Sequence, residues 1–245
     1  MFAAAPLLAA AGSCAFAKTS VIAHLIQEAP ADGGLSQRID FISRALLGVR
    51  YQADTLIGGP RRQELFVVRA DAFDCITYCE VVLAAAIAKD IGEFEAVLRC
   101  IRYEHGEVRW DQRNHDFAKW SQRIVENKIC QPVRMNPSVS IEKTLNGGGL
   151  GKRWFSIIGI APSTLLANHQ LLRGGDVIGF VSRQSDLDFF HAGFTAFGKN
   201  AGLLLRHASQ SYGRVLDEKM ETFLAANGVK YVTLLRAENP APASS

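Results

Sequence analysis

Apolar positions recur at helical spacing through the first half of the chain and at strand-like spacing through the second. Helical patterns cover Ser20 to Gln27 and Leu35 to Leu47, with Asp32-Gly33-Gly34 punctuating them. A short strand-like run spans Leu65 to Val68. An apolar helix opens at Cys75 and runs to about Lys89, and another runs from Gly92 to Tyr103. Residues 104 to 150 are polar and aromatic, with one helix over Asp116 to Asn127, and read as a helical elaboration. After residue 154 the pattern changes. Strands are predicted at Trp154 to Ile160, Asp176 to Val181, His191 to Phe197, Leu203 to Ser209 and Tyr231 to Leu235, with a helix over Leu216 to Ala226. Helices first and antiparallel strands afterwards make an α+β order.

The chain has 245 residues, 48% of them hydrophobic, enough for one substantial core. Its formal charge of +3 is too small to point to nucleic acid. Residues 18 to 239 read as a single catalytic domain. The Pro240-to-Ser245 tail reads as disordered. Met1 to Ala17 is uncharged, rich in Ala and Leu, and ends in Ala15-Phe16-Ala17, a signal-cleavage pattern too short for a membrane span. Export to the periplasm or cell envelope is the expectation. A second reading makes Cys14 a lipid anchor, and Ala11 three residues before it favours ordinary cleavage. Export permits disulfides. Cys75 and Cys79 lie one helical turn apart, a poor bridging geometry, while Cys100 and Cys130 stay open as a bridge or as free thiols.

Phe73-Asp74-Cys75-Ile76-Thr77-Tyr78-Cys79-Glu80 concentrates the chemistry. It sets a cysteine in the first turn of a helix, where the partial positive charge of the N-terminus favours the thiolate. Most cysteines in globular domains are simply core, so the position needs a partner. A nucleophilic cysteine requires a base, and the base an orienting group. His191 supplies the first candidate. With a three-residue loop at Gly198-Lys199-Asn200, the following strand sets Thr195 against Leu203, Gly193 against Leu205, and His191 directly against His207. One imidazole then orients the other, and a one-residue slip would separate them onto opposite faces. A zinc site of Cys75, His191 and His207, with Asp188, lacks the usual ligand spacings, and no cofactor or metal is expected. No Gly-x-Ser-x-Gly supports a serine nucleophile.

These pieces resemble the NlpC/P60 superfamily of cell-wall cysteine hydrolases. Phe73-Asp74-Cys75 matches its helix start and His191-Ala192-Gly193 its histidine strand. His207-Ala208-Ser209 matches its third-residue strand, Gly175-Asp176 the strand before the histidine, and Gly48-Val49-Arg50-Tyr51 the segment before the cysteine. The full Phe73-to-Glu80 motif, with Arg102-Tyr103, Gly106, Arg113, His115 and Trp120, is closer to the DUF1460, N-acetylmuramoyl-L-alanine amidase-like branch. The resemblance implies a papain-like α+β fold, with Cys75 as nucleophile, His191 as base and then acid, and His207 as orienter. It also implies Tyr51 beside the oxyanion and peptidoglycan or muropeptides as substrate, cut between the muramic lactyl group and L-alanine. A γ-D-glutamyl endopeptidase of the stem peptide, an acyltransferase or thioesterase, and a non-catalytic wall-binding module are the alternatives. Arg113, His115 and Trp120 are open between a substrate surface and plain core and ion pairing.

Overall fold

The computed structural model describes residues 20–147, 149–198 and 202–238. The expected leader, Cys14, the expected tail and most of the predicted Gly198-to-Asn200 loop lie outside the described residues.

Two helices, α1 over residues 20–28 and α2 (Gly34–Ala45), come first. Short strands β1 (Arg50–Tyr51), β2 (Ile57–Gly59), β3 (Arg62–Leu65) and β4 (Ala72–Phe73) lead into α3 (Cys75–Ile87) and α4 (Ile91–Arg102). After α5 (Phe117–Glu126) come β5 (Cys130–Pro132), β6 (Ser138–Asn146) and β7 (Lys152–Ile160). Helix α6 (Pro162–Ala167) precedes β8 (Val177–Val181), β9 (Phe189–Gly198), β10 (Gly202–Ser209) and β11 (Arg214–Lys219). Helix α7 (Met220–Ala226) and β12 (Val232–Ala237) end the described fold. Strands order as β4-β1-β11-β10-β9-β8-β12-β7-β6 in one large sheet, with β5 on β12; every pair is antiparallel except β1 with β4. The α+β class expected from the sequence is what the chain adopts.

Helix α3 is apolar on all sides, and everything from Thr77 to Ala86 is buried. Such a helix must be enclosed. It lies on the sheet beside α2 and α4, with Ala192, Phe194 and Ala208 of β9 and β10 in the same core. A second core of Phe180, Leu205, Met220 and Phe223 fills the space under α6 and α7. Arg206 locks the first layer together: it bonds Asp217 of β11 at 2.7 and 2.8 Å and Asp40 of α2 at 2.9 Å.

Two expectations change, and one open question closes. Residues 138–146, taken as part of a helical elaboration, form β6, because the polar face of that segment stays in solvent while Lys143 and Leu145 turn inward against β7. Residues 214–219 form β11 rather than the start of a helix; pairing with β10 and β1 overrides the helical propensity of Asp217-Glu218-Lys219. The described cysteines, Cys75, Cys79, Cys100 and Cys130, are all free thiols.

Candidate active site

The motif around Cys75 divides its work by residue. Phe73 and Tyr78 pack edge to face at 5.7 Å in the core. Asp74 is the N-cap: its Oδ1 accepts from the N–H of Ile76 at 3.0 Å and of Thr77 at 2.8 Å. Thr77 Oγ1 accepts from the Asp74 N–H at 3.0 Å, completing a capping box. Glu80 is buried one turn further and accepts from Arg102 Nε at 2.7 Å, joining α3 to α4. The acid and the threonine therefore start the helix, the glutamate fixes it laterally, and the cysteine is left half-buried at its tip.

The histidines meet, by a different register from the one expected. The β9–β10 ladder pairs Gly198 with Gly202 and ends at Phe194 with Arg206, two residues away from the predicted alignment. A two-residue shift preserves the face of every side chain. His207 then stands over Gly193 instead of His191, and His191 reaches it diagonally, with Nε2 2.6 Å from His207 Nδ1. Gly193 makes this contact feasible: a Cβ there would lie 2.9 Å from His207 Cβ and 2.8 Å from the Arg206 carbonyl oxygen. The rings stand edge to face, centroids 4.8 Å apart. Phe223 of α7 packs 5.4 Å from each of them, and Phe180 stacks on His191 at 6.0 Å.

Cys75 enters where this ladder stops. The Ala192 N–H points toward β10, as that of Phe194 does two residues on, but beyond Phe194 no pairing with β10 continues. That N–H instead lies in the electrostatic neighbourhood of the Cys75 sulfur, together with the N–H groups of Cys75 and Ile76. Sulfur and imidazoles thus gather around the parted end of one hairpin.

Burial dominates the electrostatics. It pushes the Cys75 thiol up to about 12, with the Asp74 carboxylate adding to the rise and the three N–H contacts opposing it. Desolvation and the capping carboxylate thus oppose the pull of the helix N-terminus toward the thiolate. Burial likewise holds His191 down at about 3, assisted by His207, and His207 at about 4. The resting pair is a thiol beside neutral imidazoles.

Tyr51 lies on β1, alongside Phe73 of β4. Its hydroxyl is raised by burial and then by Cys75, Asp74 and Asp54, which sets it in the electrostatic neighbourhood of the sulfur. A cleft of about 300 Å³ opens beside Cys75, walled by Asp54, Thr55, Glu80, Arg113 and His115.

The remaining motif residues sort themselves. Trp120 is wholly buried against Phe117, so it is core and no substrate surface. Arg113 reaches the cleft, but its guanidinium bonds Glu64 of β3 at 3.0 Å, as does the Tyr103 hydroxyl. His115 Nε2 donates to the Trp110 carbonyl at 2.7 Å and lowers its basicity by burial. Asp176 caps the Arg173 N–H at 2.8 Å and bonds Arg236, a turn-building role. Glu64, Phe180 and Phe223 carried no signal in the sequence, because each is defined by a partner distant along the chain. No cluster of three or more His, Cys, Asp or Glu able to hold a metal occurs among the described residues.

A family model described as AmiA-like, N-acetylmuramoyl-L-alanine amidase-like, matches residues 41–229. The fold is similar to that of a DUF1460 protein from Legionella pneumophila, at 22% identity and a TM-score of 0.78, covering 89% of this chain and 94% of that one. It is also similar to an N-acetylmuramoyl-L-alanine amidase from Bacteroides uniformis, at 24% identity and a TM-score of 0.73, covering 83% of this chain and 99% of that one. No curated protein matches the sequence.

Proposed function

The chain belongs to the AmiA-like, N-acetylmuramoyl-L-alanine amidase-like family, and from that premise we propose that it is a cysteine amidohydrolase of peptidoglycan. Its bond is the amide between the muramic lactyl group and L-alanine, and its architecture is the papain-like one of the NlpC/P60 superfamily. The observation that carries the reading is His191 joined to His207 at 2.6 Å at the β9–β10 opening, with Cys75 in the electrostatic neighbourhood of Ala192 beside it.

With thiol and imidazole both neutral at rest, proton transfer accompanies attack. His191 Nε2 is engaged by His207, so Nδ1 is the nitrogen left to take the Cys75 proton. The thiolate adds to the lactyl carbonyl. The Cys75 N–H and the Tyr51 hydroxyl stabilise the oxyanion. His191 returns its proton to the departing L-alanine nitrogen, and water, deprotonated by the same imidazole, releases the lactyl acid from the thioester. The Met1–Ala17 segment supports export to the envelope, where this substrate lies, with Cys14 as the alternative lipid anchor.

The test uses defined muropeptides, with products read by mass spectrometry for the wild type and Cys75→Ala. A released stem peptide with a free L-alanine amine is the expected result, absent with Cys75→Ala. Cleavage after D-glutamate would reassign the enzyme as a stem-peptide endopeptidase. Activity that survives Cys75→Ala, or that a chelator abolishes, would sink the cysteine mechanism.

A further inference from the structure

The histidine pair does not end at His207. Its Nε2 is buried and makes no hydrogen bond within the described structure. A buried ring N–H without an acceptor is destabilising, so the atom calls for a partner. Glu218 Oε2 lies 3.4 Å away, on a side chain only 14% exposed. That distance exceeds a well-formed hydrogen bond by only a few tenths of an ångström.

The backbone repeats one geometric step. His207 pairs with Leu216 across β10–β11, and Glu218 is two residues beyond that partner. On the other side His191 is two residues from Gly193, over which His207 stands. His191, His207 and Glu218 therefore form a diagonal row across three adjacent strands. Proton placement gives the row a direction. If His191 Nδ1 must be bare to accept from Cys75, its proton sits on Nε2 and is donated to His207 Nδ1. His207 then carries its own proton on Nε2, the atom that faces Glu218.

We infer that Glu218 is a positioning residue that holds the His207 proton on Nε2 and thereby keeps His191 Nδ1 free toward Cys75. The inference rests on the assignment of Cys75 and His191 as nucleophile and base. Phe223, packed on both rings, helps hold them in one orientation.

The experiment is long-range nitrogen–proton correlation spectroscopy on full-length protein with nitrogen-15 histidine, the His207 signals assigned by loss in His207→Gln, combined with kcat and KM on a muropeptide. The wild type is expected to show His207 protonated at Nε2 alone. Glu218→Ala is expected to mix the two tautomers and to lower kcat by roughly tenfold or more, with KM changed less than about twofold. Glu218→Gln, whose amide oxygen still accepts, is expected to restore the single tautomer and most of kcat. A proton on His207 Nδ1 in the wild type, which needs no variant to observe, overturns the inference; so does an unchanged tautomer in Glu218→Ala. The same spectrum on Cys75→Ala separates the two ideas, because the tautomer judges Glu218 even if activity persists in that variant and the nucleophile falls.

Discussion

Acid should unfold this protein through its own histidines. His191 and His207 sit at about 3 and about 4 in the folded state because burial disfavours their charged forms. In the unfolded chain both return to about 6.5. A depressed histidine binds fewer protons folded than unfolded at every pH between the two values, so stability rises with pH across that window. The stability due to the neutral rings is fully present above about pH 6.5 and is lost as pH falls toward the folded values. Integrated from pH 7 to pH 5, the loss is about 2 kcal/mol per ring and up to about 4 kcal/mol for the two. The measurement is urea unfolding at pH 7, 6 and 5 for the wild type and for the His191→Gln/His207→Gln double variant. Carboxylates titrate alike in both, so the difference in slope isolates the rings. The wild type should lose more stability than the variant by most of that amount. Parallel losses would refute the view that burial controls this pair.

Two further substitutions probe the frame. Gly193→Ala should destabilise by about 1–3 kcal/mol and abolish turnover, because its Cβ meets His207 and the Arg206 carbonyl within 3 Å; a wild-type melt with full activity would show that the close approach is dispensable. Glu80→Ala should cost about 3–5 kcal/mol by stranding the buried Arg102 charge, whereas Glu80→Met with Arg102→Met should recover much of it; equal stability of all three in denaturant titrations would remove the pair from the fold's support.

What the sequence disclosed follows the range of the interactions involved. The Asp74–Thr77 capping box spans four residues, and its signature is complete within the motif. The α+β order also emerges from local periodicity. The hairpin register is harder, since it depends on a loop whose spacing admits several alignments. A two-residue error there kept His191 and His207 on one face, so the pairing was right although the facing residue was Gly193. Glu218 was hidden because Asp217-Glu218-Lys219 favours a helix on propensity, and only the strands on either side draw it into the sheet. Glu64 and Phe223 are significant only through Arg113, Tyr103 and the two imidazoles, contacts that no local pattern encodes.

The enclosure of α3 has a bearing on how such a site accommodates a bulky polymer. A helix sheathed on every side can yield only when the whole core yields, so the position of Cys75 at its start is tied to global unfolding more than to local breathing. The opposing wall is built otherwise. Asp54 and His115 come from short connecting segments held by a few side-chain bonds, and the two-stranded β2–β3 ribbon stands apart from the main sheet. On the proposed function, adjustment to substrate falls to that wall. Cys75 is the fixed side of the cleft, and the short segments opposite it are the side with fewer constraints.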